Sequence, residues 1–148
     1  MSKIVQMILS GMFFTFILDF FLFLGVKENY IDAHGIKLYY NILFADNQNI
    51  FIFTFFTLVL GYIVMYLSNK IAIIVISTLF VFTAATLIPP VGNSVGEFLF
   101  MQKNITLKTN KFTYHGDLLY SGRKGVSFYD YELKKVIILN KNKIQGSY

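Results

Sequence analysis

Apolar positions along this chain fall into two regimes. Up to about residue 90 they form long blocks nearly free of charge; beyond it they alternate with polar positions over short stretches. The first block covers residues 4–24 and carries one charge, Asp19. At about 1.5 Å per residue a helix of that length covers ~30 Å, the thickness of a bilayer's hydrocarbon core. Gly25 followed by Lys27 predicts where it stops. The block is too long for a usual signal-peptide core and no small-x-small site follows it, so it reads as a retained helix. Two uncharged blocks, residues 50–67 and 71–88, are separated by Ser68, Asn69 and Lys70 alone, which predicts a tight antiparallel hairpin. Pro89 and Pro90 are expected to end the third helix, because proline cannot continue the hydrogen-bond ladder. Lipid offers no partner to an open backbone group, so helix is the expected state of all three blocks.

Between the first two blocks, residues 36–44 are apolar and aromatic but too short to span. With Tyr39 and Tyr40 adjacent, they are expected to lie at headgroup level. Residues 91–103 are expected to form a linker, flexible at Gly92, Asn93, Ser94 and Gly96, and not a fourth span. Residues 104–148 have the period of strands. Ile105 and Leu107 alternate with Thr106 and Lys108, Val126 and Phe128 alternate with Ser127 and Tyr129, and residues 136–139 form a short apolar run. Turns are expected at His115-Gly116-Asp117, at Ser121-Gly122 and between Asp130 and Lys134. The predicted fold is a membrane α-helical bundle of three transmembrane helices (residues 1–90), followed by a small C-terminal all-β domain. In that domain four or five short strands form a meander, a barrel or a half-sandwich. So short a domain has a marginal core, and it is expected to lean on the helices, on a copy of itself or on another protein. A few spans followed by a small β module resembles the layout of bacterial NfeD-type membrane proteins; the resemblance is one of layout and carries no residue across.

Composition sharpens this picture. Of the 148 residues, 55% are hydrophobic and 14% charged, against about 25% charged in ordinary soluble domains. The apolar mass therefore needs lipid. Residues 1–90 carry four basic and four acidic groups, whereas residues 91–148 carry nine basic and four acidic, net +5. A basic tail beside a bilayer is drawn to anionic headgroups. With three spans the tail shares a side with Lys27 and Lys37, so the positive-inside rule places it in the cytoplasm, under a bacterial inner membrane. The absence of cysteine excludes disulfides, thiolate metal sites and thiol nucleophiles.

Candidate chemistry is sparse. Gly11, Thr15 and Asp19 follow at i+4 and line one helix face, where a carboxylate within a span is a packing or an ion-coupling feature. Thr54, Thr57, Gly61 and Ser68 form a small-residue stripe on the second helix, which Ser77 and Ala84 of the third are placed to meet. Asp32, His34 and Glu28 lie close in sequence but lack the geometry of a metal site, so neither metal nor cofactor is expected. Residues 121–125 resemble a phosphate loop but miss its glycine spacing and following helix, and read as a basic hairpin turn. Arg123, Lys124, Lys134 and Lys135 are the candidate contacts to lipid phosphates or an acidic partner. Tyrosines interleave with these cations, yet no nucleic-acid signature accompanies them and nucleic acid is not the expected partner. The expected partners are the bilayer and another membrane protein or a second copy. The function expected is that of a non-enzymatic accessory or scaffold subunit of an inner-membrane complex. The alternatives are a transport component using Asp19 and a membrane-embedded lipid-modifying enzyme using loop residues such as Asp32 and His34.

Overall fold

The computed structural model describes residues 2–109, 112–123 and 125–145. Helix α1 spans Lys3–Val26 and opens on Ser2, whose hydroxyl accepts from the Val5 amide. The α-helix ends between Gly25 and Lys27, where the sequence predicts its stop. The chain then continues through a π-helical turn, Lys27–Ile31, and the helical path breaks at Gly35, in the left-handed region at φ 68°. Gly25 also makes room: a Cβ there would collide with Thr86, so the missing side chain lets the return segment pack close. Lys27 is held by Asp32 at 2.5 Å.

Helix α2 (Tyr40–Asn47) follows, and α3 (Ile50–Tyr66) leaves it at 85°. Asn49 caps α3 by accepting from the Phe51 and Ile52 amides. The predicted segment at 36–44 is thus an extended lead-in and then a helix that ends three residues later. Leu67 and Ser68 form the turn into α4 (Asn69–Ala84).

The prolines act opposite to expectation. Helix α4 has already passed into a 3₁₀ turn, Ala85–Leu87, and Pro89 and Pro90 occupy the first positions of α5, Pro89–Phe100. Proline's fixed φ suits a helix start, where the missing N–H has no partner to lose. Residues 91–100 are therefore a helix rather than a linker. Gly92 and Gly96 are buried against Thr86, Asn29 and Tyr30. Two helical stretches, Lys3–Ile31 and Asn69–Leu87, are long and apolar enough to cross a membrane, and α3 makes a third when counted with α2.

The tail is an antiparallel sheet in the order β4-β3-β2-β1-β5, with β1 Gln102–Thr109, β2 Thr113–Ser121, β3 Gly125–Asp130, β4 Lys135–Asn140 and β5 Ile144–Gln145. His115-Gly116-Asp117 lies inside β2 and not in a turn, paired with β1 on one side and β3 on the other. The turns expected near Ser121-Gly122 and after Asp130 are present. Asp130, almost fully buried, accepts from the Glu132 and Leu133 amides and closes the second of them. Strands β4 and β5 lie at opposite edges, yet only the 3₁₀ turn Lys141–Lys143 joins them. Four Cα steps reach ~15 Å, whereas the edges of a flat five-stranded sheet stand ~19 Å apart, so the sheet has to curl. Inside the curl lie Leu107, Leu118, Val126 and Phe128.

This sheet is docked on the helices. Leu119 and Tyr120 turn away from its own core and join Phe23, Val26, Tyr30, Ile31, Ile36 and Leu43 in a second apolar cluster. The Tyr30 hydroxyl, fully buried, donates to the Leu119 carbonyl at 2.8 Å. The undersized tail finds its support within the chain, which removes one reason for requiring a partner.

Candidate functional site

Helices α1 and α3 cross antiparallel at a seam of small residues. A Cβ on Gly11 would strike the Thr57 carbonyl, and one on Gly61 would strike the Met7 carbonyl. Thr15 and Thr57 are buried in this seam, and neither hydroxyl has a hydrogen-bond partner among the described residues. The predicted face of Gly11, Thr15 and Asp19 therefore does point at protein, and its partner is the Thr57–Gly61 part of the second stripe. Thr54 and Ser68 fall outside the seam and are exposed. Ser77 is exposed as well and Ala84 half-buried, so the third helix does not meet the stripe as expected. Instead the close contact from that side comes at Thr86. Its hydroxyl lies 2.6 Å from the Thr83 carbonyl and 3.2 Å from that of Phe21.

Asp19 is half-buried at the end of the seam, where Gln48 Nε2 donates to its carboxylate at 3.1 Å. Gln48 sits in the bend between α2 and α3, so the one charge of α1's apolar block faces the bend and not the middle of the helix pair. The loop residues Asp32 and His34 do not converge. Asp32 is taken by Lys27, and His34 Nδ1 meets the Tyr30 carbonyl at 2.8 Å. Among the described residues no three His, Asp or Glu side chains gather as metal ligands.

A concavity lies elsewhere, between α2 with its lead-in and the β2–β3 hairpin. It is a cleft of about 580 Å³. Ile36, Leu38 and Ile42 form one wall and Ile138 of β4 the other. Lys37, Asp46 and Arg123 supply its charge. The side chain of Asp46 is only 9% exposed, and that of Arg123 is 72% exposed. They form an ion pair at 2.5 Å, but without the alignment of a hydrogen bond. Both Asp46 oxygens are left with no hydrogen-bond donor among the described residues. A buried carboxylate is normally paired and hydrogen-bonded to at least one donor. Beside it, Asn47 Nδ2 donates to the Leu43 carbonyl and to the Tyr120 hydroxyl. Burial pushes the Tyr120 phenol above its ordinary titration range, so it stays a neutral wall of the cleft.

Among the described residues, Arg123 is the one predicted basic contact that reaches this cleft. Lys134 and Lys135 lie in and after the β3–β4 turn, on the exposed side of the sheet, and Lys124 lies outside the described residues. Asp46 was not legible as a site residue. Its partner is 77 positions away, and the only local hint was an acidic residue closing an otherwise apolar segment. No protein-family model, no curated protein and no solved structure matches the chain.

Proposed function

We propose that this chain is a non-enzymatic accessory subunit of a bacterial inner-membrane complex: α1, α3 and α4 span the bilayer and hold a basic β-sheet rigidly at its cytoplasmic surface. The observation that carries this reading is the docking of the sheet. Tyr30 binds the backbone of β2 and Asp46 pairs with Arg123, so the sheet is fixed to the helix ends and not tethered by a linker. A rigid platform with Lys134 and Lys135 on its free side suits presentation to a partner, and it fits catalysis less well. Along the spans, Ala72 is the only buried residue of α4 among the described ones, and Thr54 and Ser77 face outward. A helix so little covered by its own chain offers hydroxyl-bearing surface to another helix.

The test is a photocrosslinker placed at Ser77 and, separately, at Lys134, with the protein in its native membrane. The expected result is one discrete crosslinked protein from each position, copurifying in mild detergent. A chain that crosslinks to lipid alone and runs as a monomer overturns the subunit reading. Because the sequence contains no cysteine, single substitutions Ser68→Cys and Lys134→Cys give a clean sidedness assay. Labelling of Ser68→Cys from outside and protection of Lys134→Cys are expected.

A further inference from the structure

The cleft between α2 and the sheet lies where a lipid headgroup would be. The α3 surface becomes strongly apolar from its first turn, with Phe51 82% exposed, and α2 leaves that helix at 85°. With α3 across the bilayer, α2 lies along its surface, and the cleft opens between this in-plane helix and the docked sheet. This placement rests on the membrane reading above.

We propose that the cleft binds a phospholipid whose headgroup carries a protonated primary amine, of the phosphoethanolamine type. Asp46 supplies a carboxylate that is nine-tenths buried and, among the described residues, is met only by the unaligned guanidinium of Arg123; an ammonium group entering the cleft replaces that contact and brings three donors. Arg123, mostly exposed and released from Asp46 as the amine takes its place, and the exposed Lys37 supply cations for the phosphate next to that amine. The order of charges across the site thus mirrors the zwitterion, with the acid deep and the bases toward the rim. Ile36, Leu38, Ile42 and Ile138 form apolar walls for the glycerol and the first acyl carbons. Ile138 is 73% exposed on a strand, an exposure that a lipid chain would cover. A choline headgroup has no N–H to give Asp46, and a glycerol headgroup has no cation to pair with it. Headgroup selectivity is therefore the signature of this site.

The experiment uses the full-length protein in mild detergent, titrated with phosphatidylethanolamine, phosphatidylcholine or phosphatidylglycerol and read by native mass spectrometry. The ethanolamine lipid is expected to bind roughly tenfold more tightly than the choline lipid, the worth of one charge-assisted hydrogen bond. Asp46→Asn is expected to erase that difference, and Arg123→Gln to weaken both lipids together. Stepwise N-methylation of the ethanolamine headgroup, tested on the unaltered protein, is expected to weaken binding step by step, and this arm stands even where Asp46→Asn does not fold. Equal retention of all three lipids overturns the proposal. So does a preference that survives in Asp46→Asn, or displacement of the ethanolamine lipid by millimolar inorganic phosphate alone. Failure of the membrane reading is separate: it shows as a chain that is monodisperse without detergent.

Discussion

At the scale of single residues, the seam between α1 and α3 is the least forgiving place in the molecule. Gly11 and Gly61 each touch backbone across the helix pair, so Gly61→Leu is expected to part the helices, with loss of the folded state in a detergent melt. Asp19→Asn is expected to be mild, within about 1 kcal/mol, because an amide oxygen still accepts from Gln48. A melting curve near that of the unaltered protein would bear this out. Tyr30→Phe removes the buried donor to the Leu119 carbonyl and should cost about 1–3 kcal/mol. The loss should show first in hydrogen exchange across β2. Part of this was readable from sequence, since i+4 spacing put Gly11, Thr15 and Asp19 on one face. Spacing did not show which members of the second stripe would meet that face. Thr57 and Gly61 do, while Thr54 lies one residue off the i+4 line of contact and turns outward.

At the scale of elements, the apolar blocks were legible because sheer length of uncharged sequence leaves few alternatives to helix. Punctuation was not. Pro89-Pro90 has the pattern of a stop and is a start, since the same fixed φ and missing N–H suit both roles. Gly96 has the look of a flexible position and is a tight contact: its absent Cβ makes room for the Tyr30 ring. Gly96→Val is therefore expected to destabilise the docking of α5 by about 1–3 kcal/mol, the usual cost of overpacking, and to raise proteolysis near Met101. Helix α5 also carries a pH-sensitive tie to β1. Glu97 accepts from Lys103 and Asn93, which hold its carboxyl below the ordinary range. A depressed folded value means that the contribution is complete above the unfolded carboxyl's range and is lost as pH falls through the folded one. The pair is largely exposed, so the effect should not exceed about 1 kcal/mol. Lys103→Gln is expected to shrink the difference between melting temperatures at pH 7 and pH 3.

At the scale of the whole molecule, helices and sheet are one body joined through β2. That strand alternates exposed and covered positions at its start, but Leu118, Leu119 and Tyr120 are all buried, because one face meets the sheet's own core and the other meets the helix ends. The sequence carries that run as a doublet of leucines before a tyrosine, which by itself marks a strand covered on both sides without saying what covers it. The sheet alone is accordingly expected not to fold: residues 101–148 expressed by themselves should show no protected amides, whereas the same amides in the intact protein should be protected. The link between Tyr30 and Leu119 also has a consequence for biogenesis. Chains emerge N-terminus first, so the surface built by Tyr30, Ile31 and Leu43 is in place before β2 has left the ribosome. Closure of the sheet is then the last event of assembly, and it reports on all the earlier ones. A molecule in which that surface has not formed would leave Leu119 and Tyr120 uncovered, so an exposed end of β2 is the mark of an unfinished chain.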